Sequence, residues 1–176
     1  MAIRIYFDPL DVACKNVIGA VKEGEFLQLQ IFNLKPNNRS FFHTPKPDDC
    51  AYPTEIATLL LRKDGEEVER YEMLQTSYGW TVSLTINEIG LYYYSFLIGE
   101  DKYVACGSLQ RGFITDKERP FLLLVYSEDY QTPEWFKGGV MYQIFPDRFY
   151  KSGTMPDIKG RIRRDDWGGL PSYISV

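Results

Sequence analysis

Short runs in which apolar and polar residues alternate are the feature that most constrains the fold of this chain. In residues 80–86, Trp, Val, Leu and Ile alternate with Thr, Ser and Thr, and residues 26–33 set Leu27, Leu29 and Ile31 against two glutamines. A period of two places successive side chains on opposite faces of a strand, so each run predicts a strand with one buried and one solvated face. We expect Trp80 to lie in the core, because it shares a face with aliphatic residues.

Further strand-like runs follow one another through residues 1–126. They are residues 4–7, 17–21, 56–62, 68–74, 91–98, 103–106 and 121–126, with a loop rich in Pro, Asn and Asp at residues 34–53. Asp64-Gly65 between two of these runs is a strong hairpin signal. No segment keeps a helical pattern over three turns. Many short strands with turns at this spacing predict an all-β N-terminal domain, an immunoglobulin-like antiparallel β-sandwich.

The charge balance argues against several classes of partner. The 176 residues carry a formal net charge of −4, which gives no electrostatic case for binding nucleic acid or an anionic membrane. The basic residues at 159–164 are followed directly by Asp165 and Asp166, a pattern typical of a solvated loop. The N-terminus lacks the apolar region of a secretory signal, and no apolar run approaches the length of a membrane span. A cytoplasmic, soluble protein is the expectation.

The cysteines and the lone histidine form no metal-binding pattern. Cys14, Cys50 and Cys106 are dispersed without a CxxC pair, and His43 lies in the Pro-rich loop. An odd, scattered set of cysteines argues against both a disulfide framework and a zinc site. We therefore expect neither a cofactor nor a zinc site, and we interpret His43 as a solvated loop residue.

A second segment begins near residue 139. Residues 127–138 are rich in turn formers, and Gly139 follows Gly138 directly. The next six residues, VMYQIF, form a short apolar run that ends before Pro146, a residue that cannot continue a central strand. We interpret residues 127–138 as a linker and residues 139–176 as the first strand and loop of another domain.

The phrase VMYQIFPDRF, residues 140–149, resembles the first barrel strand of the α-amylase family of glycoside hydrolases, especially its neopullulanase, cyclomaltodextrinase and maltogenic amylase branch. Residues 139–176 are too few to form a (β/α)₈ barrel, which takes roughly 250 residues. We therefore expect a truncated barrel. The resemblance implies that Tyr142 and Gln143 lie in or just beneath a sugar-binding cleft, with simple barrel packing as the alternative.

The same resemblance argues against catalysis and calcium binding by this chain. The family's catalytic carboxylates come from later barrel strands, and Asp147 belongs to the structural motif, so we expect no catalytic residue. Relatives often follow this motif with a loop whose oxygen atoms bind calcium. Here Lys151 brings a positive charge and Asp157 is the one carboxylate of that loop. We therefore expect no metal.

Residues 1–126 have a layout similar to the starch-associated carbohydrate-binding modules that precede the barrel in this branch. Aromatic residues make up 15% of the chain. Aromatic rings suit strands and also stack against sugars. Tyr78, Tyr92 and Tyr94 are the candidate sugar-stacking residues of the sandwich. The alternative is that each is an ordinary tyrosine of a β-sheet.

The resemblance as a whole implies part of a retaining enzyme that hydrolyses α-glucosidic bonds in maltodextrins, starch, pullulan or cyclodextrins. The expected partners are an α-glucan or maltooligosaccharide and a second copy in a homodimer, with this fragment contributing to dimerisation and substrate selection. The alternatives are a stand-alone carbohydrate-binding module and a structural interaction domain. In each case a strand at residues 140–145 without neighbours is predicted to dock on its own sandwich or on another copy.

Overall fold

The computed structural model describes residues 3–36 and 43–145. The chain divides into two compact units, residues 1–130 and 131–176. In the described part of the first unit there are eleven strands and no α-helix: β1 (Ile5–Tyr6), β2 (Val21–Lys22), β3 (Phe26–Asn33), β4 (Ala57–Lys63), β5 (Glu69–Glu72), β6 (Leu74–Thr76), β7 (Gly79–Thr85), β8 (Gly90–Ile98), β9 (Lys102–Cys106), β10 (Gly112–Thr115) and β11 (Phe121–Tyr126). Short 3-10 turns cover Pro47–Asp49, Ser108–Gln110 and Glu134–Phe136.

The smaller sheet has the strand order β1-β3-β7-β6, with antiparallel neighbours throughout. Leu29 lies opposite Val82, and Ile31 lies opposite Trp80. Because paired residues point to the same face, the alternation of β3 and that of β7 place their apolar side chains on one common side. That side is buried, and Trp80 is only 1% exposed.

The larger sheet is built around β8. All of strand β4 pairs with one edge of β8, while β11 and β9 share the other edge of β8. Strands β5, β10 and β2 lie outside β4, β9 and β11. All of these pairs are antiparallel except β2 with β11. The prediction of an all-β antiparallel sandwich is confirmed.

The two sheets pack through one continuous apolar core. An aromatic cluster of Phe7, Tyr94, Phe96 and Phe121 fills its part next to the larger sheet, with ring centroids 4.9 Å apart for Phe7 and Phe96. Trp80 contributes from the smaller sheet, and its indole Nε1 donates a hydrogen bond of 2.8 Å to the Glu55 carbonyl. Replacing such a buried ring by alanine costs roughly 3–5 kcal/mol. The prediction that Trp80 lies in the core is confirmed.

Several predicted strands match the observed bounds to within one residue, but two runs were predicted wrongly. Of residues 17–21, only Val21 lies in a strand, β2 (Val21–Lys22). The hairpin at Asp64-Gly65 is present, with Glu66 N donating to Lys63 O at 3.0 Å. Residues 68–74, predicted as one strand, are divided between β5 in the larger sheet and β6 in the smaller sheet. The buried Met73 lies at the corner, where its N–H donates to Ala57 O at 2.9 Å. Strand β10 was not predicted at all.

Residues 139–145 form no strand, so the strand predicted at 140–145 is absent from this structure. Val140, Met141, Tyr142, Ile144 and Phe145 are all exposed. A central barrel strand takes its backbone hydrogen bonds from neighbours on both sides, and among residues 3–36 and 43–145 no strand pairs with this segment. Docking on its own sandwich or on another copy stays a prediction. The residues after Phe145, including Asp147, Lys151 and Asp157, lie outside the described part of the chain.

Gly79 gives a direct test of the packing in the smaller sheet. Its φ is +149°, and a Cβ added there would lie 1.9 Å from Ile31 O on the paired strand. We expect Gly79→Ala to lower the free energy of unfolding by more than about 3 kcal/mol, because both the backbone and its neighbour must move.

The matched control is Gly24→Ala. Gly24 also has a positive φ, of +75°, but no atom lies within 4 Å of the added Cβ. This change is expected to cost only about 1–2 kcal/mol. Urea unfolding followed by circular dichroism measures both values, and equal losses in the two variants would contradict the close approach at Gly79.

Candidate functional site

A shallow depression lies on the outer face of the smaller sheet. Its volume is about 340 Å³. We call it the outer depression, and its lining residues are Val12, Ala13, Asn16, Gln28, Gln30, Phe32 and Tyr78. The lining holds two aromatic rings, three side-chain amides and no charged group. It is therefore neutral and combines flat apolar surface with hydrogen-bonding groups.

Strand β3 supplies the floor. Leu27, Leu29 and Ile31 point into the core, so the period of two turns Gln28, Gln30 and Phe32 outward. The hydrogen bonds made by both glutamine side chains use the amide nitrogen. Gln28 Nε2 donates to Thr81 Oγ1 at 3.3 Å, and Gln30 Nε2 donates to Ile31 O at 3.0 Å. These bonds hold the two side chains along the sheet.

Tyr78 forms one side of the depression from the tip of the β6–β7 hairpin. Its backbone is fixed on both sides, since its N–H donates to Thr76 Oγ1 at 3.3 Å and its carbonyl accepts from Asn33 N at 2.8 Å. The side chain remains 42% exposed. A ring on a rigid hairpin with a face open to solvent is suited to stacking on a flat ligand.

Residues 8–16 form the opposite side, which we call the wall turn. Asn16 attaches it to the edge of β3 through its side chain, because Nδ2 donates to Phe26 O at 2.9 Å and Oδ1 accepts from Gln28 N at 2.7 Å. Gln30 N also donates to Cys14 O at 2.8 Å. The wall turn thus pairs with part of the β3 edge that β1 leaves open.

The lining suits a neutral ligand rich in hydroxyl groups. Aromatic rings offer apolar faces, and side-chain amides both donate and accept hydrogen bonds. A small number of placed polar groups among apolar ones is the usual composition of a small-molecule site. Bond cleavage by a glycosidase needs a pair of carboxyl groups instead, and no carboxyl group is among the described residues that line this depression.

A second cleft, of about 260 Å³, lies where the β4–β5 hairpin faces the β7–β8 turn. We call it the acidic cleft because Glu66, Glu67, Glu69 and Glu88 line it together with Lys63. Lys63 Nζ lies 2.7 Å from Glu88 Oε2 and 3.7 Å from Glu66 Oε1. The hydrogen bond between Lys63 and Glu88 raises the pKa of the lysine and lowers that of the glutamate. Charge pairing therefore organises this cleft.

Tyrosines in and near the acidic cleft are engaged with the protein. The Tyr71 hydroxyl donates to Glu69 Oε2, and this hydrogen bond, with burial, raises the pKa of Tyr71 to about 12. The Tyr92 hydroxyl donates to Glu88 O at 2.9 Å, and Tyr92 is only 7% exposed. Tyr92 is therefore too buried to present the open ring face that sugar stacking requires.

The structure places the sequence-predicted candidates in different surroundings. Tyr94 is 1% exposed and stacks on Phe121 with centroids 5.2 Å apart, so it has no face open to a sugar. Tyr78 lies in the outer depression. Tyr142 and Gln143 are exposed within the unit 131–176, on a segment without regular structure. Sequence reasoning missed Asn16, Phe32 and both glutamines of β3. The outward half of the β3 alternation was the signal for Phe32 and the glutamines, whereas no local pattern marked Asn16.

The described residues hold no candidate metal site and no membrane-spanning helix. In residues 3–36 and 43–145 no group of three or more His, Cys, Asp or Glu side chains could hold a metal ion. The three cysteines are free thiols. No helix in the described ranges is long and apolar enough to cross a membrane.

Three curated proteins are similar to nearly the whole chain. The amylopullulanase of Thermoanaerobacterium saccharolyticum is 30% identical over 96% of the chain, that of Thermoanaerobacter thermohydrosulfuricus is 30% identical over 88%, and that of Thermoanaerobacterium thermosulfurigenes is 33% identical over 96%. The chain is related to amylopullulanases. It spans only 14%, 11% and 10% of these relatives' own lengths. No protein-family model matches the chain. The relation supports the resemblance of VMYQIFPDRF to the α-amylase family.

Chemical nitration tests where the tyrosines lie. Tetranitromethane attacks accessible phenolate, and burial raises the pKa of Tyr94. We therefore expect Tyr78 to be nitrated in the folded chain and Tyr94 to be spared, as measured by peptide mass spectrometry. The chain unfolded in urea should be nitrated at both positions. Equal nitration of the two tyrosines in the folded chain would contradict the placement of Tyr94 in the core.

Proposed function

We propose that this chain is a non-catalytic β-sandwich portion of an α-amylase-family glycoside hydrolase, and that its outer depression binds the α-glucan on which that enzyme acts. The enzyme's activity would be hydrolysis of α-glucosidic bonds in maltodextrin, starch, pullulan or cyclodextrin. The observation that carries the proposal is the similarity to amylopullulanases along 88–96% of the chain. The neopullulanase branch within the family is part of the proposal and rests on VMYQIFPDRF.

The chemistry of the outer depression supports the binding role. A glucose unit presents an apolar face of C–H groups and a rim of hydroxyls. Tyr78 and Phe32 offer rings for the face, while Gln28 and Gln30 offer amides for the rim. Because the lining carries no charge, a neutral glucan enters it without the desolvation of an ionised group.

The pKa shifts of two carboxyl groups, Glu88 and Asp11, agree with a non-catalytic role. A glycosidase needs one carboxyl group that stays protonated near neutral pH, which requires a raised pKa. In this structure the pKa of Glu88 is lowered by its hydrogen bond to Lys63. Burial raises the pKa of Asp11, but its hydrogen bonds outweigh burial and lower it overall. Both groups are therefore poor general acids.

Dimerisation and substrate selection are further parts of the proposal, and they rest on the family resemblance alone. Two alternative functions predict different results for glucan binding by this chain. A stand-alone carbohydrate-binding module would bind glucan without any catalytic partner. A structural interaction domain would bind no glucan, and its tyrosine in the outer depression would be an ordinary surface residue. Equilibrium sedimentation of the chain measures whether it dimerises.

Calorimetric titration of the chain with maltoheptaose and with β-cyclodextrin tests the binding role. We expect Tyr78→Ala to weaken maltoheptaose binding by about tenfold, the effect of losing roughly 1.4 kcal/mol of ring stacking. Tyr52→Ala is the matched control, because Tyr52 is also an exposed tyrosine but lines a different depression with Ile56 and Leu74. The Tyr52→Ala variant should bind maltoheptaose with the affinity of the unaltered chain.

Three results would count against the proposal. Absence of any heat of binding would favour the structural interaction domain. Equal weakening by Tyr78→Ala and Tyr52→Ala would remove the outer depression as the site. Release of reducing ends from pullulan or maltodextrin by the purified chain would contradict the non-catalytic role.

A further inference from the structure

The wall turn is too short to hold its own conformation. Asp11 N donates to Asp8 O at 2.9 Å, and Asp11 O accepts from Cys14 N at 2.9 Å and Lys15 N at 3.0 Å. These bonds form little more than one helical turn, and nucleating a helical turn is unfavourable without outside contacts. The position of Val12 and Ala13 beside the outer depression therefore depends on the side chains that attach the turn to the sandwich.

Asp11 makes two of these attachments, and one bond within the turn, with a single carboxylate. Its Oδ2 accepts from the Tyr6 hydroxyl at 2.8 Å and from Thr44 Oγ1 at 2.5 Å, while Oδ1 accepts from Ala13 N at 2.9 Å. Tyr6 belongs to β1, and Thr44 lies in the loop before the 3-10 turn at Pro47–Asp49. The carboxylate thus connects the turn to two other parts of the sandwich.

Two further side chains fix the ends of the turn. Asp8 is buried, and its carboxylate accepts from Leu10 N at 3.0 Å and from Arg111 Nε at 2.8 Å. Lys15 is also buried and donates from Nζ to Val17 O and Gly19 O at 2.5 and 2.7 Å. The ends are therefore held by other side chains, whereas Asp11 is the side chain that holds the middle of the turn, where Val12 and Ala13 meet the outer depression, beside the backbone bond from Gln30 N to Cys14 O.

We propose that Asp11 is a positioning residue for glucan binding: through its bonds to Tyr6, Thr44 and Ala13 it holds the wall turn against β3 and so keeps the outer depression open in its binding shape. Asp11 is not among the residues that line the depression, so its effect on binding passes through the wall turn. This inference rests on the proposed function for the ligand, whereas the holding of the wall turn follows from the geometry.

The contacts by which Asp11 holds the wall turn depend on pH. Burial pushes the pKa of Asp11 upward, but the hydrogen bonds from Thr44, Ala13 and Tyr6 outweigh burial and lower it. The other titratable groups around it are Asp8 with its partner Arg111, Cys14, Lys15 and Tyr6. A lowered folded pKa means that the attachment is complete above the ordinary Asp range, near pH 4, and is lost as the pH falls through the folded value. Binding should therefore be constant from about pH 5 to 7.

Two measurements on the full chain test the inference. Asp11→Ala removes all three bonds, and Tyr6→Phe removes only the hydroxyl bond while keeping the ring. Hydrogen exchange of the Asn16 and Gln30 amides reports on the wall turn, because these donate to Gln28 O and Cys14 O. We expect faster exchange at these two amides in Asp11→Ala, maltoheptaose binding about tenfold weaker, and smaller changes in Tyr6→Phe.

A destabilised control separates positioning from general loss of stability. Val104→Ala removes buried methyl groups from the larger sheet. It should lower the melting temperature without changing the affinity for maltoheptaose or the exchange at Asn16 and Gln30. If Val104→Ala weakened binding as much as Asp11→Ala at equal loss of stability, the positioning role would be overturned.

The remaining outcomes distinguish this inference from the proposed function. Unchanged exchange at Asn16 and Gln30 in Asp11→Ala overturns the positioning role. Faster exchange with unchanged affinity also overturns it, because the wall turn would then not matter to the ligand. If the unaltered chain binds no glucan while Asp11→Ala speeds exchange, the proposed function fails and the holding of the wall turn by Asp11 is supported.

Discussion

The rest of the structure depends on the contact between the inward faces of two sheets. Strands β3 and β7 meet the core with alternate aliphatic side chains and Trp80, and β8 meets it with Tyr94 and Phe96. Large apolar surfaces of this kind supply most of the free energy of folding. The same contact determines which side chains of β3 lie on the outer face of the smaller sheet. Once Leu27, Leu29 and Ile31 are buried, Gln28, Gln30 and Phe32 must lie on the opposite face of the strand, and these are the residues that form the floor of the outer depression.

The core also makes the floor of the outer depression rigid. The floor belongs to a strand paired with β7 along seven residue pairs, and Tyr78 lies on the hairpin that joins β6 to β7. A platform fixed in this way loses little conformational entropy when a flat ligand stacks on it. The wall turn is different, since its position depends on the Asp11 carboxylate. The site therefore combines a rigid floor with one side that is held by a few polar contacts.

Much of the fold could be predicted from the sequence, because alternation is a local signal. Strands β3 and β11 were predicted with their observed bounds, and the Asp64-Gly65 hairpin was found from its turn residues. The division of residues 68–74 at Met73 could not be predicted, because it depends on which sheet each half joins. The wall turn was missed for a similar reason. Asp11 gains its role from Tyr6 and from Thr44, 33 residues away, and no local pattern marks such contacts.

The central claim is that the outer face of the smaller sheet binds α-glucan. The most direct measurement is a titration of ¹⁵N-labelled chain with maltoheptaose, followed by amide chemical shifts in heteronuclear NMR spectra. We expect saturable shift changes at residues 12–16, 28–32 and 78, and none around the acidic cleft. Changes confined to Glu66, Glu69 and Glu88, or no change at any amide with saturating ligand, would contradict it.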